Sequence, residues 1–521
     1  MPRLLALLLV ALALGGCATL PPGASAPRAA SHAFDQPLAT PLGKAAAALV
    51  QAHPGRSGLR LFPRGPDGLL LRVQMIERAQ RAVDIQYYIF VEDDTGKVLL
   101  DALLRAAQRG VRVRLLVDDL NLAHWAPTRE TLAALDHHPN VEVRLFNPLN
   151  YRGDLPILHQ LDLLMSAPRV NHRMHNKLFV VDGALALVGG RNVADEYFEI
   201  GTPPVRFGDF DVAVVGPAVS GLAQSFDAFW NSPLSVPQEA LGGPRPPLHE
   251  ARAKLATDNA AVESPELARR LASGEPLASL LAGKMPFAWG STTVVADPPE
   301  KADATRTRSF ISPTEAAITS RARDVQREVV IISPYFVPGA DGLRSLRELR
   351  QRGVTVRVLT NSLASTDVPV VHTAYRRYRM PLAEAGVELY EVRPVPGQPR
   401  ERGALGSGTS GAPFALHAKA YVFDRRTVFL GSANLDPRSL VLNTEVGLLI
   451  DSPELAREIL ARFDDFAQSA NSYRVLDEQG TLHWRTSVDG RVVDWTDEPD
   501  TTPKQRLTAD LLSLVPVEDQ L

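Results

Sequence analysis

The chain has 521 residues, 45% hydrophobic and 22% charged, with a formal net charge of −3. This is globular composition with length for two or more domains, and it offers no basic footprint for nucleic acid. The single cysteine, Cys17, excludes an intramolecular disulfide.

The chain opens as a targeting segment. Met1-Pro2-Arg3 is a short positive region. Leu4 to Leu14 is an unbroken apolar run, too short to span a bilayer comfortably but right for a signal peptide. Leu14-Gly15-Gly16-Cys17 resembles the bacterial lipoprotein processing box. The resemblance implies a signal peptide over 1–16, cleavage before Cys17 and acylation of its sulfur. The mature chain is then expected in the cell envelope, facing the periplasm. Ala18, where Asp would signal inner-membrane retention, favours the outer membrane. Residues 17–60 are expected as a lipid-anchored flexible tether, because 18–44 are rich in Pro, Ala, Gly and Ser. No later stretch reaches transmembrane length.

The rest of the chain repeats itself. Val83-Asp84-Ile85-Gln86-Tyr87-Tyr88-Ile89-Phe90 reads as a strand, and Leu99, Leu100, Leu103, Leu104 and Ala107 have helical spacing. Arg109-Gly110 closes that helix before Val111 to Val117. The second half has Val329 to Phe336, a helix marked by Leu343, Leu346 and Leu349, then Arg352-Gly353 and Val354 to Leu359. A third strand follows in each, at 141–146 and 387–390. Short apolar strands joined by crossover helices predict parallel pairing in a buried sheet. The glycines lie 243 positions apart and the histidines of the motif below 242 apart. The fold class is therefore α/β, with two copies of one α-β-α unit packed about a pseudo-two-fold axis. The units are placed at 61–235 and 311–470. Residues 236–310 read as a polar linker with one helix near Pro265–Ser273, and 471–521 as a C-terminal hairpin and short helix.

Each copy carries His-x-Lys-x4-Asp: His175, Lys177 and Asp182, then His417, Lys419 and Asp424. In a strand, residues two apart share a face, so His and Lys point together. The aspartates have the opposite parity and fall at a turn (Asp182-Gly183), so a structural role is expected for them. The return strands end in Gly189-Gly190-Arg191-Asn192 and Gly431-Ser432-Ala433-Asn434. Small residues there let backbone approach a phosphate, with Asn192, Asn434 and Ser432 as hydrogen-bond donors. Two lysines and two asparagines would hold the charge of a phosphodiester. One neutral histidine can attack phosphorus while a second, protonated one gives its proton to the leaving oxygen. In-line displacement needs these on opposite sides, which explains the duplication and needs no metal or cofactor. No cluster has metal-ligand spacing.

These motifs resemble those of the phospholipase D superfamily, and within it the bacterial cardiolipin synthase C type. The matching runs are Asp84 to Tyr88, Arg173 to Lys177, Gly189 to Asn192 with Asp195-Glu196-Tyr197, Asn434 to Ser439, and Asn443-Thr444-Glu445. The resemblance covers the chain from about residue 60 onward. It implies a single active site at the interface of the halves, with a downstream carboxylate orienting each histidine. Glu445 fits that place for His417. Aligning Phe210-Asp211-Val212 with Thr444-Glu445-Val446 gives Asp211 to His175. Gly190, where relatives carry Ser, implies an asymmetric phosphate cradle.

The resemblance implies cardiolipin synthesis: phosphatidyl transfer to phosphatidylglycerol through a covalent phosphohistidine. Hydrolysis of phospholipid headgroups is the second reading, and a periplasmic phosphodiesterase or nuclease the third. A catalytically idle scaffold is disfavoured by the intact paired motifs. Phospholipids are the expected partners, with attachment to the membrane through Cys17, no stable nucleic acid, and a functional monomer. His372 is assigned with equal weight to substrate binding or to packing. The Gly403–Gly411 stretch is read either as a gate over the site or as a disordered insertion.

Overall fold

A computed structural model describes residues 20–514, apart from 22, 123–124, 154, 263–264, 305–311, 396–411 and 489–490. Cys17, the apolar leader, the Gly403–Gly411 stretch and the Asp489-Gly490 turn lie outside the described residues. The first half contributes strands β1 (Ser57–Phe62), β2 (Ala82–Tyr87), β3 (Arg112–Asp118), β4 (Val141–Phe146), β5 (Leu178–Val181), β6 (Leu185–Gly189), β7 (Arg206–Gly208), β8 (Asp211–Val215) and β9 (Ser235–Pro237). Leaving β7 aside, they pair in the order β9-β4-β3-β2-β5-β6-β8-β1, with β2, β3 and β4 parallel. Strand β10 (Ala288–Ala296) follows. The second half then adds β11 (Glu328–Ile332), β12 (Thr355–Asn361), β13 (Glu388–Val392), β14 (Phe414–Leu416), β15 (Ala420–Phe423), β16 (Thr427–Gly431), β17 (Val446–Asp451), β18 (Ser472–Glu478), β19 (Thr481–Val488) and β20 (Arg491–Trp495). Their order, β14 aside, is β20-β19-β18-β13-β12-β11-β15-β16-β17, with β11, β12 and β13 parallel.

The helices used below are α1 (Gly65–Arg78), α2 (Asp94–Gln108), α3 (Pro156–Met165), α4 (Ala218–Trp230), α5 (Gly339–Gln351), α6 (Pro369–Glu384), α7 (Pro453–Ala467) and α8 (Pro503–Ser513). The crossover helices α2 and α5 end alike, each before a glycine in the left-handed region: Gly110 at φ +90° and Gly353 at +82°. The Asp93 side chain caps α2 by accepting from Gly96 N at 3.0 Å. Strands β2, β5, β6 and β8 are buried along their whole length, as a sheet covered on both faces requires. One apolar cluster runs across both halves, from Val180, Val188, Val214 and Trp230 to Val422, Leu430, Leu448 and Phe463. The two units therefore share a core and are held as one body by apolar burial.

Two segments are more ordered than their composition predicts. Part of the expected tether folds: a helix spans Pro41–Val50 and β1 follows. Upstream of them, Ala33 N donates to Asp227 at 2.8 Å, and Arg114 donates to Ser31 O at 2.9 Å. The expected linker holds helices at Leu248–Val262, Pro265–Ser273 and Leu277–Leu281, and then β10. Strand β10 pairs with β1 (Ser57 opposite Gly290) and with β17 (Ser291 opposite Asp451), which joins the two sheets.

The C-terminal hairpin pairs Trp484 with Trp495, and α8 starts in a Thr502–Gln505 capping box. Glu498 reaches into a buried cluster with Arg379 (2.5 Å), whose guanidinium also meets Glu391 (2.7 Å) and His372 (2.6 Å). His372 thus helps dock the appendage on α6, and burial beside Arg379 lowers it to about 4.

The motif aspartates close the β5–β6 and β15–β16 turns, both at φ +51°. Asp182 accepts from Gln80 N, Arg81 N and Ala82 N, the last at 3.0 Å. Asp424 does the same for Gln326, Arg327 and Glu328. Each carboxylate pins the start of β2 or β11 to the motif strand. Asp182→Ala leaves the buried Ala82 N–H and the partly buried Gln80 and Arg81 N–H groups without this partner and should cost about 2 kcal/mol of stability. Urea unfolding checks this; turnover per folded molecule should stay near wild type.

Candidate active site

The two motif segments are positioned reciprocally. A bridge of Met174 with Thr444 and the bond His175 N→Thr444 O (3.0 Å) bring the first motif against the second half. In the other direction β14 pairs with β7, Leu416 opposite Gly208. His417 N and Ala418 N both donate to Gly208 O, at 2.8 and 3.0 Å. Upstream of His175, Arg173 lies 2.8 Å from Asp118 at the end of β3 and donates to Phe146 O at the end of β4. The site thus sits at the carboxyl ends of the parallel strands, where open α/β sheets place their ligands.

The carboxylates cross over. His175 Nδ1 meets Glu445 of the opposite half at 2.9 Å, and His417 Nδ1 meets Asp209 of the opposite half at 2.7 Å. With Nδ1 held by a carboxylate, Nε2 is the nitrogen left to face a substrate. The sequence expectation for both carboxylates is corrected here. Glu445 supports His175 rather than His417, and Asp211 supports neither histidine. Asp211 accepts from Arg72 (2.8 and 2.9 Å) and from Arg191 (3.1 Å). Burial would raise its carboxyl, yet Arg72 and Arg191 hold it below the ordinary value. Arg191 also donates to Asp209 O at 2.5 Å, so Asp211 acts on the site only through arginines. Asp209 escaped the sequence reading. The strand registers supply the signal: Gly189 lies opposite Asp211, and Gly431 opposite Gly447. Asp211 therefore matches Gly447, and Asp209 matches Glu445.

The Gly190–Ser432 difference follows from the carboxylates. The Ser432 hydroxyl donates to Glu445 and accepts from Val446 N at 3.0 Å. It steadies the carboxylate and is not a free phosphate donor, contrary to the sequence expectation. At Gly190, a Cβ would lie 2.4 Å from either Asp209 carboxylate oxygen. The shorter Asp209 keeps its carboxylate close to the backbone and takes the space that a serine would need.

Lys177 Nζ donates to His175 O at 2.7 Å and lies 5.5 Å from the centre of the Tyr88 ring. Lys419 Nζ lies 2.9 Å from His417 Nδ1 and donates to His417 O. Asn192 accepts from Ile89 N (3.1 Å) and donates to Tyr197 OH (2.9 Å), so it braces the loop. Asn434 is buried, and its amide oxygen has no partner among the described residues. Aromatic edges wall the histidines: Tyr88 stands 5.1 Å from His175, and Tyr197 and Phe207 stand 5.0 Å from His417.

Burial dominates the electrostatics. It holds both histidines well below their ordinary value, helped by Lys177 and Lys419. It pushes Glu445 up to about 8 despite Lys177, and Asp209 up to about 7 despite Lys419. It brings Lys177 down to about 7 and Lys419 to about 8. Burial thus disfavours the charged form of every member of the cluster. A phosphodiester monoanion would favour charged lysines and one imidazolium, the state that acid–base attack requires.

Comparison with known proteins gives the family. The family model described as "Cardiolipin synthase, PLD-like domain" matches residues 73–230 and 318–467. The chain therefore belongs to the cardiolipin synthase branch of the phospholipase D-like family. It is 38% identical over 485 residues to cardiolipin synthase C of Escherichia coli, covering 92% of this chain and 99% of that one. It is 30% identical over 414 residues to cardiolipin synthase A of Pseudomonas fluorescens, covering 79% and 69%. The crystal structure of phosphatidylserine synthase from Haemophilus influenzae superposes with a TM-score of 0.50 at 17% identity, covering 78% of this chain and 84% of that one, and shares the fold.

Asp209→Asn and Glu445→Gln should each lower the rate by on the order of 10²–10⁴. Asp211→Asn should instead cost about 3–5 kcal/mol of stability, by stripping buried arginines of their partner. Rates corrected for folded fraction separate the two classes. Stability against pH gives a second check. Glu445 is raised on folding, so its contribution is full below the unfolded value and is lost as pH rises through about 8. The melting temperature of Glu445→Gln relative to wild type should therefore rise between about pH 5 and about pH 9.

Proposed function

We propose that this chain makes cardiolipin by phosphatidyl transfer at the two-histidine site. The observation that carries the reading is the crossed pairing. It leaves two Nε2 atoms to act on one phosphate, each supported by a carboxylate of the opposite half. The Nε2 lone pair of one histidine attacks the phosphorus of a donor phospholipid. The phosphorus–oxygen bond to the headgroup breaks, and the other imidazolium gives its proton to the leaving alkoxide. In the second step a glycerol hydroxyl of phosphatidylglycerol passes its proton to that second histidine. Its oxygen attacks the phosphatidyl-histidine, and the nitrogen–phosphorus bond breaks. Lys177 and Lys419 hold the non-bridging oxygens throughout. The names of the relatives favour a lipid alcohol over water as acceptor. Lipidation of Cys17 would hold the chain at a periplasm-facing membrane, most simply the outer one. Among the described residues no helix is long and apolar enough to cross a bilayer.

The test is turnover on vesicles of phosphatidylglycerol, alone and mixed with a second phospholipid, with all products resolved. Cardiolipin and a released headgroup alcohol are expected, with activity surviving chelation by EDTA. His175→Ala and His417→Ala should each abolish turnover. Phosphatidic acid as the sole product would establish hydrolysis instead, and a single-histidine variant at near wild-type rate would refute the paired mechanism. Mass spectrometry of the envelope-isolated chain should find acyl groups on Cys17; an unmodified thiol there overturns the anchor.

A further inference from the structure

Helix α3 breaks the usual pattern of a surface helix. Leu155, Ile157, Leu158, Leu161, Leu164 and Met165 are all exposed, Ile157 at 65% and Leu164 at 73%. The only buried residue of α3 is His159, packed edge-on against Tyr151 at 4.8 Å. The helix's one acid, Asp162, is turned inward, accepting from Asn150 N at 2.7 Å and Tyr151 N at 2.8 Å. Between Leu155 and Pro168 every exposed residue but Gln160 is apolar, and none is charged. A continuous apolar face of this kind marks a contact surface.

The face is built onto the catalytic segment. Just after α3, Arg169 donates to Asn147 Oδ1 at 2.5 Å and to Pro148 O at 2.8 Å. Asn147 in turn donates to His172 O at 2.8 Å, and the chain runs straight on to Arg173 and His175. Two more exposed apolar groups flank the same segment. Val441 lies on the short helix Arg438–Leu442, whose Arg438 donates to Asn171 at 2.5 Å. Trp125 follows the Asp119–Leu122 turn, where Asp119 accepts from Leu149 N (2.7 Å) and Arg152 (2.7 Å). A tryptophan and aliphatic side chains without charges are the composition of an interfacial anchor.

We infer that α3 inserts into the outer layer of a bilayer and brings a phospholipid headgroup to the catalytic histidines. This rests on the phospholipid reading above. The occupant is taken as a bilayer, not a protein, because the chain runs from this face straight into a site whose proposed substrate sits in a bilayer, and no exposed residue between Leu155 and Pro168 is charged. Lacking charge, it should bind neutral and anionic vesicles alike and resist high salt.

The test uses the full chain. Leu164→Cys carries an environment-sensitive fluorophore, and the parent chain treated alike reports Cys17 alone. With neutral phosphatidylcholine vesicles in high salt, the label at 164 should move to the blue and be quenched by lipid-borne quenchers. Ile157→Asp with Leu164→Asp should bind vesicles about a hundredfold more weakly. Its turnover of bilayer phosphatidylglycerol should fall at least tenfold, while turnover of a short-chain, monomeric phosphatidylglycerol stays unchanged. That unchanged rate also shows that the variant folds. A label that stays in water, or a folded double variant with full bilayer rate, overturns the inference. So does a dimer across α3 in sedimentation that vesicles fail to dissolve. If the label inserts but neither substrate is turned over, the functional reading fails and the docking surface stands.

Discussion

The structure depends on one reciprocal contact: each motif histidine takes its carboxylate from the other half of the molecule. His175 with Glu445 and His417 with Asp209 are buried imidazole–carboxylate pairs that neither unit can form alone. The rest of the fold serves to hold them. Backbone bridges set the two motif segments against Thr444 and Gly208, and β10 stitches the sheets together. The shared apolar cluster supplies the attraction that keeps the pairs out of water. Because both pairs span the same interface, a shift of one half against the other would disturb both histidines together.

That arrangement stores strain of an electrostatic kind. Histidines, lysines and carboxylates are crowded together, and burial disfavours the charge on each of them. Such a cluster is stable only because the groups face one another. The two half-sites are not copies. Ser432 with the longer Glu445 and Gly190 with the shorter Asp209 are two solutions to one packing problem, each filling the same volume and aiming a carboxylate at an imidazole. The asymmetry gives the histidines different supports, as two different roles in a displacement would use.

Much was legible in the amino-acid sequence, and for identifiable reasons. Period-two runs, glycine-capped helices and a near-constant offset between copies are local signals, and they foretold two α/β units with parallel strands. The motif aspartates do sit at left-handed turns, bound to backbone, whereas His175–Lys177 and His417–Lys419 precede β5 and β15 rather than lying within them, so strand parity does not set their direction. Asp209 was missed because the first half carries a longer loop between Asn192 and the carboxylate. That loop shifts the alignment until strand register corrects it.

What the sequence by itself determined is the motif: two copies of His-x-Lys-x4-Asp, each followed by Asn and small residues. What only the tertiary structure decided is which groups touch. Glu445 and His175 are 270 residues apart, and Asp209 and His417 are 208 apart. No spacing rule reaches that far, because the contact is made by packing two units about an axis and not by the path of the chain. The same holds for Ser432, whose hydroxyl the sequence offered to phosphate and the fold gave to Glu445, and for α3. There the fold leaves Leu158, Leu161 and Leu164 exposed among the described residues.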